Sequence, residues 1–304
     1  MMTEPTERTK PAFAQANGMR LCYETFGRPS DPPLVLIMGL AAQMILWDEE
    51  FCKQLAAPGR WVIRFDNRDI GLSTRLDGEK TPGMSQIFLT RMVGRTPRAP
   101  YTLLDMAKDT IGLLDALGIE RADVVGASMG GAIGQELAIH FPERLHTLTA
   151  IMATSGDPKL PPPTPAAMSV LMRSSSPERE KYVKDYVSRW RVLSANHFPF
   201  DEERTREQGE TGFSRGINPP GVARQMLAII ASGNRKQALR TVSVPTAVIH
   251  GSADPLVPVA AGYDLAKAIP GATLTVIEGM GHSLPRGAWP AMLAAIDQII
   301  ASAR

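Results

Sequence analysis

Residues 124–131 read VVGASMGG, a serine set between glycines directly after an apolar run. A serine in such a place is either a plain turn former or a nucleophile. A tight strand-to-helix turn crowds the residues around its apex, and glycines at 126 and 130 relieve the crowding. The pattern therefore predicts a Ser128 hydroxyl raised at the carboxyl edge of a sheet, where open α/β sheets place their ligands. A serine hydroxyl attacks poorly at neutral pH, so it needs an adjacent base, and the base needs an orienting acid.

Five histidines are available. His282, in EGMGHSLP, follows the last strand pattern and precedes the last helical pattern, AWPAMLAAIDQIIASA (288–303), so it sits on a glycine-rich loop able to lean toward Ser128. His140 and His146 flank a helix-to-strand junction at the opposite edge, His197 falls in a helical insertion, and His250 lies on a strand, where packing is its expected role. Two carboxylates compete as the acid. Asp254 in HGSADPLVP is favoured, because its loop adjoins that of His282 if the last two strands pair; Asp157 in TSGDP is the alternative. The transition state also needs donors for an oxyanion. In LIMGLAAQMILW (36–47) an apolar strand runs into Gly39, and the backbone N–H of Leu40 is expected to act with that of Met129, which belongs to the unsatisfied first turn of a helix.

These residues need a scaffold that brings distant loops to one edge. The runs PLVLIM (33–38), WVIRF (61–65), ADVVGA (122–127), LTAIMA (148–153), PTAVIH (245–250) and ATLTVIE (272–278) read as strands. Between several of them lie helical patterns, such as YTLLDMAKDTIGLLDALG (101–118) and GGAIGQELAIHF (130–141). Strand, helix, strand repeated in this way predicts an α/β fold with a mostly parallel twisted sheet and helices on both faces. The rhythm breaks at the proline-dense TSGDPKLPPPTP, after which helical stretches continue with no clear strand until Pro245. The expected organisation is a core of residues 1–153 and 241–304, with residues 154–240 as a helical lid inserted between two strands. A separate helical domain in series is disfavoured, since two strands after residue 244 make no stable domain alone.

Composition bounds the partners. The chain has 304 residues, 44% of them hydrophobic, enough for one large core with an insertion. Its formal charge of +2, with no basic stripe, leaves no footprint for nucleic acid or an anionic membrane. A small molecule is the expected partner. The polar, proline-bearing first residues lack a signal-peptide core, no apolar run reaches the roughly 18 residues a membrane span needs, and a cytoplasmic location is expected. Cys22 and Cys52 lack metal-ligand spacing and are expected to be buried thiols, with neither a metal nor an organic cofactor.

Taken together, VLIMGL, RFDNRDIGLST, VVGASMGG, IHGSADPLVP and GMGHSLP resemble the α/β-hydrolases over nearly the whole chain. More closely, LIMGL, FDNRDIGLST and SRWRVLSANHFPFDEE (188–203) resemble aclacinomycin methylesterase and its relatives. That resemblance implies a serine carboxylic ester hydrolase carried by Ser128, His282 and Asp254. Many related sequences have histidine where Met38 stands; the expected donors are backbone groups, so the difference need not remove them. Asp66, Arg68 and Asp69 read as a charge cluster bracing their loop, with substrate contact as the alternative. Met168, Met172 and Met226, beside Trp190, Phe198 and Phe200, suggest an adaptable apolar wall in the lid, or ordinary packing of lid on core. The same triad also serves carbon–carbon bond hydrolysis and lactone opening, and a slow-turnover binding protein is a reading from another class. An aspartate nucleophile is disfavoured, because position 128 is serine.

Overall fold

The computed structural model describes residues 8–79, 81 and 97–303. Its centre is a sheet of β1 (Ala12–Ala16), β2 (Met19–Phe26), β3 (Pro33–Ile37), β4 (Trp61–Phe65), β5 (Ala122–Ala127), β6 (Leu145–Ile151), β7 (Thr246–Gly251) and β8 (Thr273–Ile277). The spatial order is β1-β2-β4-β3-β5-β6-β7-β8. From β4 to β8 every pairing is parallel; β1 and β2 form an antiparallel hairpin at one end. That hairpin turns at Asn17 and Gly18, both with positive φ, as a two-residue turn of this hand requires.

Helices cover both faces. On one lie α1 (Glu49–Ala56) and, at the chain's end, α10 (Trp289–Ser302); the other carries α2 (Leu103–Ala116), α3 (Met129–His140) and α9 (Ala260–Ala268). The strand side chains alternate accordingly. Leu34, Leu36, Val125 and Ile249 face the first layer, while Val35, Ile37, Val124 and Val248 face the second, which is why the central strands are apolar throughout. Helix α2 begins at a reciprocal cap: Thr102 accepts from the Asp105 N–H while Asp105 accepts from the Thr102 N–H.

Between β6 and β7 the chain forms α4 (Pro165–Leu171), α5 (Arg179–Leu193), α6 (Glu202–Arg215) and α7 (Pro219–Ser232), followed by the single turn α8 (Lys236–Leu239). The apolar residues noted in this region are divided among different environments. Met168 and Met172 are exposed, Trp190 packs against Ala167, Val170 and Leu193, and Phe198 lies against the core cluster and Gly287. Cys22 and Cys52 are buried free thiols, and burial pushes them up to about 11 and about 12 respectively. No helix among the described residues is long and apolar enough to cross a membrane.

Candidate active site

Ser128 stands at the turn from β5 into α3 with φ 56° and ψ −117°, angles that non-glycine residues rarely adopt. Such a conformation costs on the order of 1–3 kcal/mol and persists only where the surroundings enforce it. They do so here by close packing. A Cβ on Gly126 would lie 2.2 Å from the Gly130 carbonyl oxygen, and one on Gly130 would lie 2.0 Å from that of Ile37. The Ser128 N–H donates to Ile151 O at 2.9 Å, tying the turn to the neighbouring strand.

The Ser128 Oγ lies 3.0 Å from His282 Nε2, and His282 Nδ1 lies 2.7 Å from Asp254 Oδ2. Because an ionised carboxylate only accepts, this pairing assigns the imidazole proton to Nδ1 and leaves the Nε2 lone pair facing the serine. The other oxygen, Asp254 Oδ1, accepts from the N–H groups of Leu256 and Val257. The loops after β7 and β8 are stitched together, since β7 pairs with β8, Ala253 N–H donates to Met280 O at 3.1 Å and Gly279 N–H donates to Ser252 Oγ at 2.8 Å. The His282 N–H donates to Leu193 O at 2.7 Å, at the end of α5. Helix α5 thus supports the loop that carries the histidine.

Asp157 is elsewhere. Its carboxylate accepts from the Lys159 N–H and from Lys236 Nζ, which also pairs with Asp264; the Lys159 N–H and then Lys236 hold it below the usual carboxylate range. His140 pairs with Glu136 on α3, and His197 packs against Gly279 and Phe198. His250 is fully buried in β7, with Nε2 2.7 Å from Val257 O and 3.7 Å from Asp254 Oδ2. Burial pushes its imidazole below the usual histidine value.

On the far side of Ser128, a Cβ built on Gly39 would meet Ser128 Cβ at 3.1 Å, so the backbone entering Leu40 passes directly against the serine. Met129 occupies the first turn of α3, where an N–H has no partner within the helix. Asn67 Nδ2 donates to Met38 O at 2.9 Å, bracing the loop from below.

Asp66, Arg68 and Asp69 are all buried and all internally paired. Arg68 makes a bidentate pair with Asp109 on α2, Asp69 receives both forks of Arg224 on α7, and Asp66 receives Arg215 of α6 at 2.6 Å. Burial alone would raise the Asp69 carboxyl; the Arg224 contacts, with the Leu76 N–H and the Tyr101 hydroxyl, hold it below its usual value. For Asp66, burial outweighs its partners and raises it. Arg215, Arg224 and Gln225 were not legible as site supports; the one available signal was an Arg-Gln pair inside the otherwise apolar stretch ARQMLAII (223–230). Among the described residues, no three His, Cys, Asp or Glu side chains converge as a metal would require.

The chain has relatives among known proteins. The family described as alpha/beta hydrolase fold matches residues 32–285. The chain belongs to that family. It is 33% identical over 297 residues to rhodomycin D methylesterase DauP of Streptomyces sp. (strain C5), covering 91% of this chain and 93% of the relative. Rhodomycin D methylesterase DnrP of Streptomyces peucetius matches with the same identity and coverage. Among solved structures, the meta-cleavage product hydrolase CumD of Pseudomonas fluorescens IP01 superposes with a TM-score of 0.76 at 19% identity, over 96% of this chain and 98% of that one. At that identity the likeness is one of α/β-hydrolase fold.

Proposed function

We propose that this protein is a serine carboxylic ester hydrolase acting on a small to medium apolar ester. The observation that carries the reading is the continuous path from Ser128 Oγ through His282 to Asp254, at 3.0 and 2.7 Å, on a turn strained enough to present the hydroxyl. In this reading Ser128 Oγ attacks the ester carbonyl carbon while His282 Nε2 takes its proton, and Asp254 stabilises the imidazolium. The carbonyl oxygen becomes an oxyanion, received by the N–H groups of Leu40 and Met129. His282 then gives the proton to the departing alkoxide, the alcohol leaves, and water repeats the sequence on the acyl-enzyme to release the acid. No cofactor is required by these steps. The two relatives named rhodomycin D methylesterase support a methyl ester, with methanol as the leaving alcohol.

Residues 154–240 act in this reading as a cap rather than an appendage. The support lies in Leu193 and Arg215, which reach the histidine loop and the Asp66 loop respectively. Removing the cap would take away part of the site's scaffold along with any selectivity it confers.

The test is hydrolysis of p-nitrophenyl esters from acetate to decanoate, together with methyl esters of apolar acids, by the native protein and by Ser128→Ala. Loss of the nucleophile is expected to lower turnover by several orders of magnitude. Retained activity in Ser128→Ala, or inert native protein across the series, overturns the ester reading; turnover of a vinylogous diketone by that inert protein would replace it with carbon–carbon hydrolysis.

A further inference from the structure

The loop that carries the Leu40 N–H is held from outside the core. Residues Gly39 to Ala42 form a β-turn in which the Ala42 N–H donates to Gly39 O at 3.4 Å. Its third residue, Ala41, has φ 60°, whereas Leu40 is not in the left-handed region. These angles mark a type II turn, whose third position suits glycine and strains alanine. In such a turn the third residue's N–H points outward and has no partner inside it. Something else must hold it.

Gln225, on α7 and fully buried, supplies that partner. Its Oε1 accepts from the Ala41 N–H at 3.1 Å, and its Nε2 donates to Arg68 O at 2.8 Å. One amide therefore splints the strained turn to the Asp66–Asp69 loop, and its two unlike partners fix which end is oxygen. The neighbouring Arg224 grips Asp69 with both forks, so the splint cannot slide along its helix.

We propose that Gln225 is a positioning residue for ester hydrolysis, its side-chain amide holding the Gly39–Ala42 turn in the type II form that aims the Leu40 N–H at the oxyanion. The inference rests on the ester reading given above. Without the amide, the Leu40–Ala41 peptide rotates toward a type I turn, which relieves Ala41 and loosens the Gly39–Leu40 peptide beside it. The substrate's ground state, bound mainly by apolar contact, is little affected. The tetrahedral intermediate loses part of one donor.

The experiment compares native protein, Gln225→Met and Ser128→Ala in hydrolysis of a p-nitrophenyl ester. It adds inhibition by an alkylboronic acid, which bonds to the serine oxygen and sets a boron-bound oxygen where the oxyanion would lie. Gln225→Met is expected to lower kcat per titrated serine about tenfold, short of the 10²–10³ seen when a donor is deleted outright. KM should stay within about twofold, and boronic acid binding should weaken by about the factor lost in kcat. Adding Ala41→Gly, which takes the positive φ without strain, should restore much of the lost kcat. Gln225→Asn, polar but a methylene too short to span both partners, should show the same split, and it carries the test if Gln225→Met does not fold. Native kcat in the Gln225 variants, unchanged boronic acid binding, or no rescue by Ala41→Gly overturns the proposal while leaving the ester reading intact. An active Ser128→Ala overturns the ester reading, and the proposal with it.

Discussion

The carboxylate of Asp254 meets His282 Nδ1 at 2.7 Å through Oδ2 while its other oxygen accepts from the N–H groups of Leu256 and Val257. The loop after β7 thus holds this carboxylate through one oxygen while the imidazole engages the other. Asp157, the competing carboxylate, is engaged by Lys236 and the Lys159 N–H. Replacing Asp254 by Asn should therefore lower kcat by about 10³–10⁴, because the imidazole loses the partner that selects its tautomer. The same change at Asp157 should stay within about twofold. Parallel kinetics of the two variants decide the point, and the opposite ranking would move the acid to Asp157.

The Arg224–Asp69 pair joins α7 to the loop after β4, with both side chains almost fully buried. Arg224→Met leaves Asp69 buried without its cation, which typically costs about 3–5 kcal/mol. Urea unfolding monitored by tryptophan fluorescence should show that loss, and adding Asp69→Asn should recover part of it. A loss below about 1 kcal/mol would mean that Tyr101 and the Leu76 N–H suffice for the carboxylate.

Gly130 and Gly118 are glycines for different reasons, and alanine should separate them. A Cβ at Gly130 meets backbone, Ile37 O at 2.0 Å, which cannot yield without moving β3 away from α3. Gly118 has open space around it and is constrained only by φ 70°. Gly118→Ala should cost about 1 kcal/mol, while Gly130→Ala should abolish activity and sharply reduce soluble yield. Equal melting temperatures for the two variants would contradict this account.

His250 gives the acid limb of stability a definite sign. Its folded pKa lies below the ordinary histidine value of 6.5, chiefly through burial and despite the Val257 carbonyl and Asp254 beside it. Below pH 6.5 the unfolded chain binds a proton that the folded chain refuses, so stability present above that pH is lost as pH falls toward the folded pKa. His250→Gln should flatten the fall in denaturation midpoint as the pH drops below about 6.5. A slope identical to that of the native protein would assign the acid sensitivity to other groups.

Much of this organisation was legible locally. The runs read as β3 to β8 lie within a few residues of the observed strands; for β3 to β7 the reason is that a strand buried on both faces announces itself as an apolar run, whereas β8, at the sheet's edge, is mostly half-buried. Neither hairpin strand, β1 or β2, is among the runs named from the sequence, although Asn17-Gly18 carries their turn signal; the residues of β1 alternate and are half-exposed, so they merge with the polar stretch before them. Helices between β6 and β7 were expected from the absence of strand patterns there, and four lie there before the short α8 turn.

The Ser128 turn and the loop positions of His282 and both candidate acids could be read from the residues alone, since these depend on glycine spacing and apolar runs within a few residues of each other. The three-dimensional packing puts Asp254 rather than Asp157 against the histidine, because that follows from β7 pairing with β8. It alone also brought Arg215, Arg224 and Gln225 onto Asp66, Asp69 and Ala41. Chain spacing governs backbone shape over a turn or two. Which distant polar groups meet is set by how the layers pack, and by the cost of burying any of them without a partner.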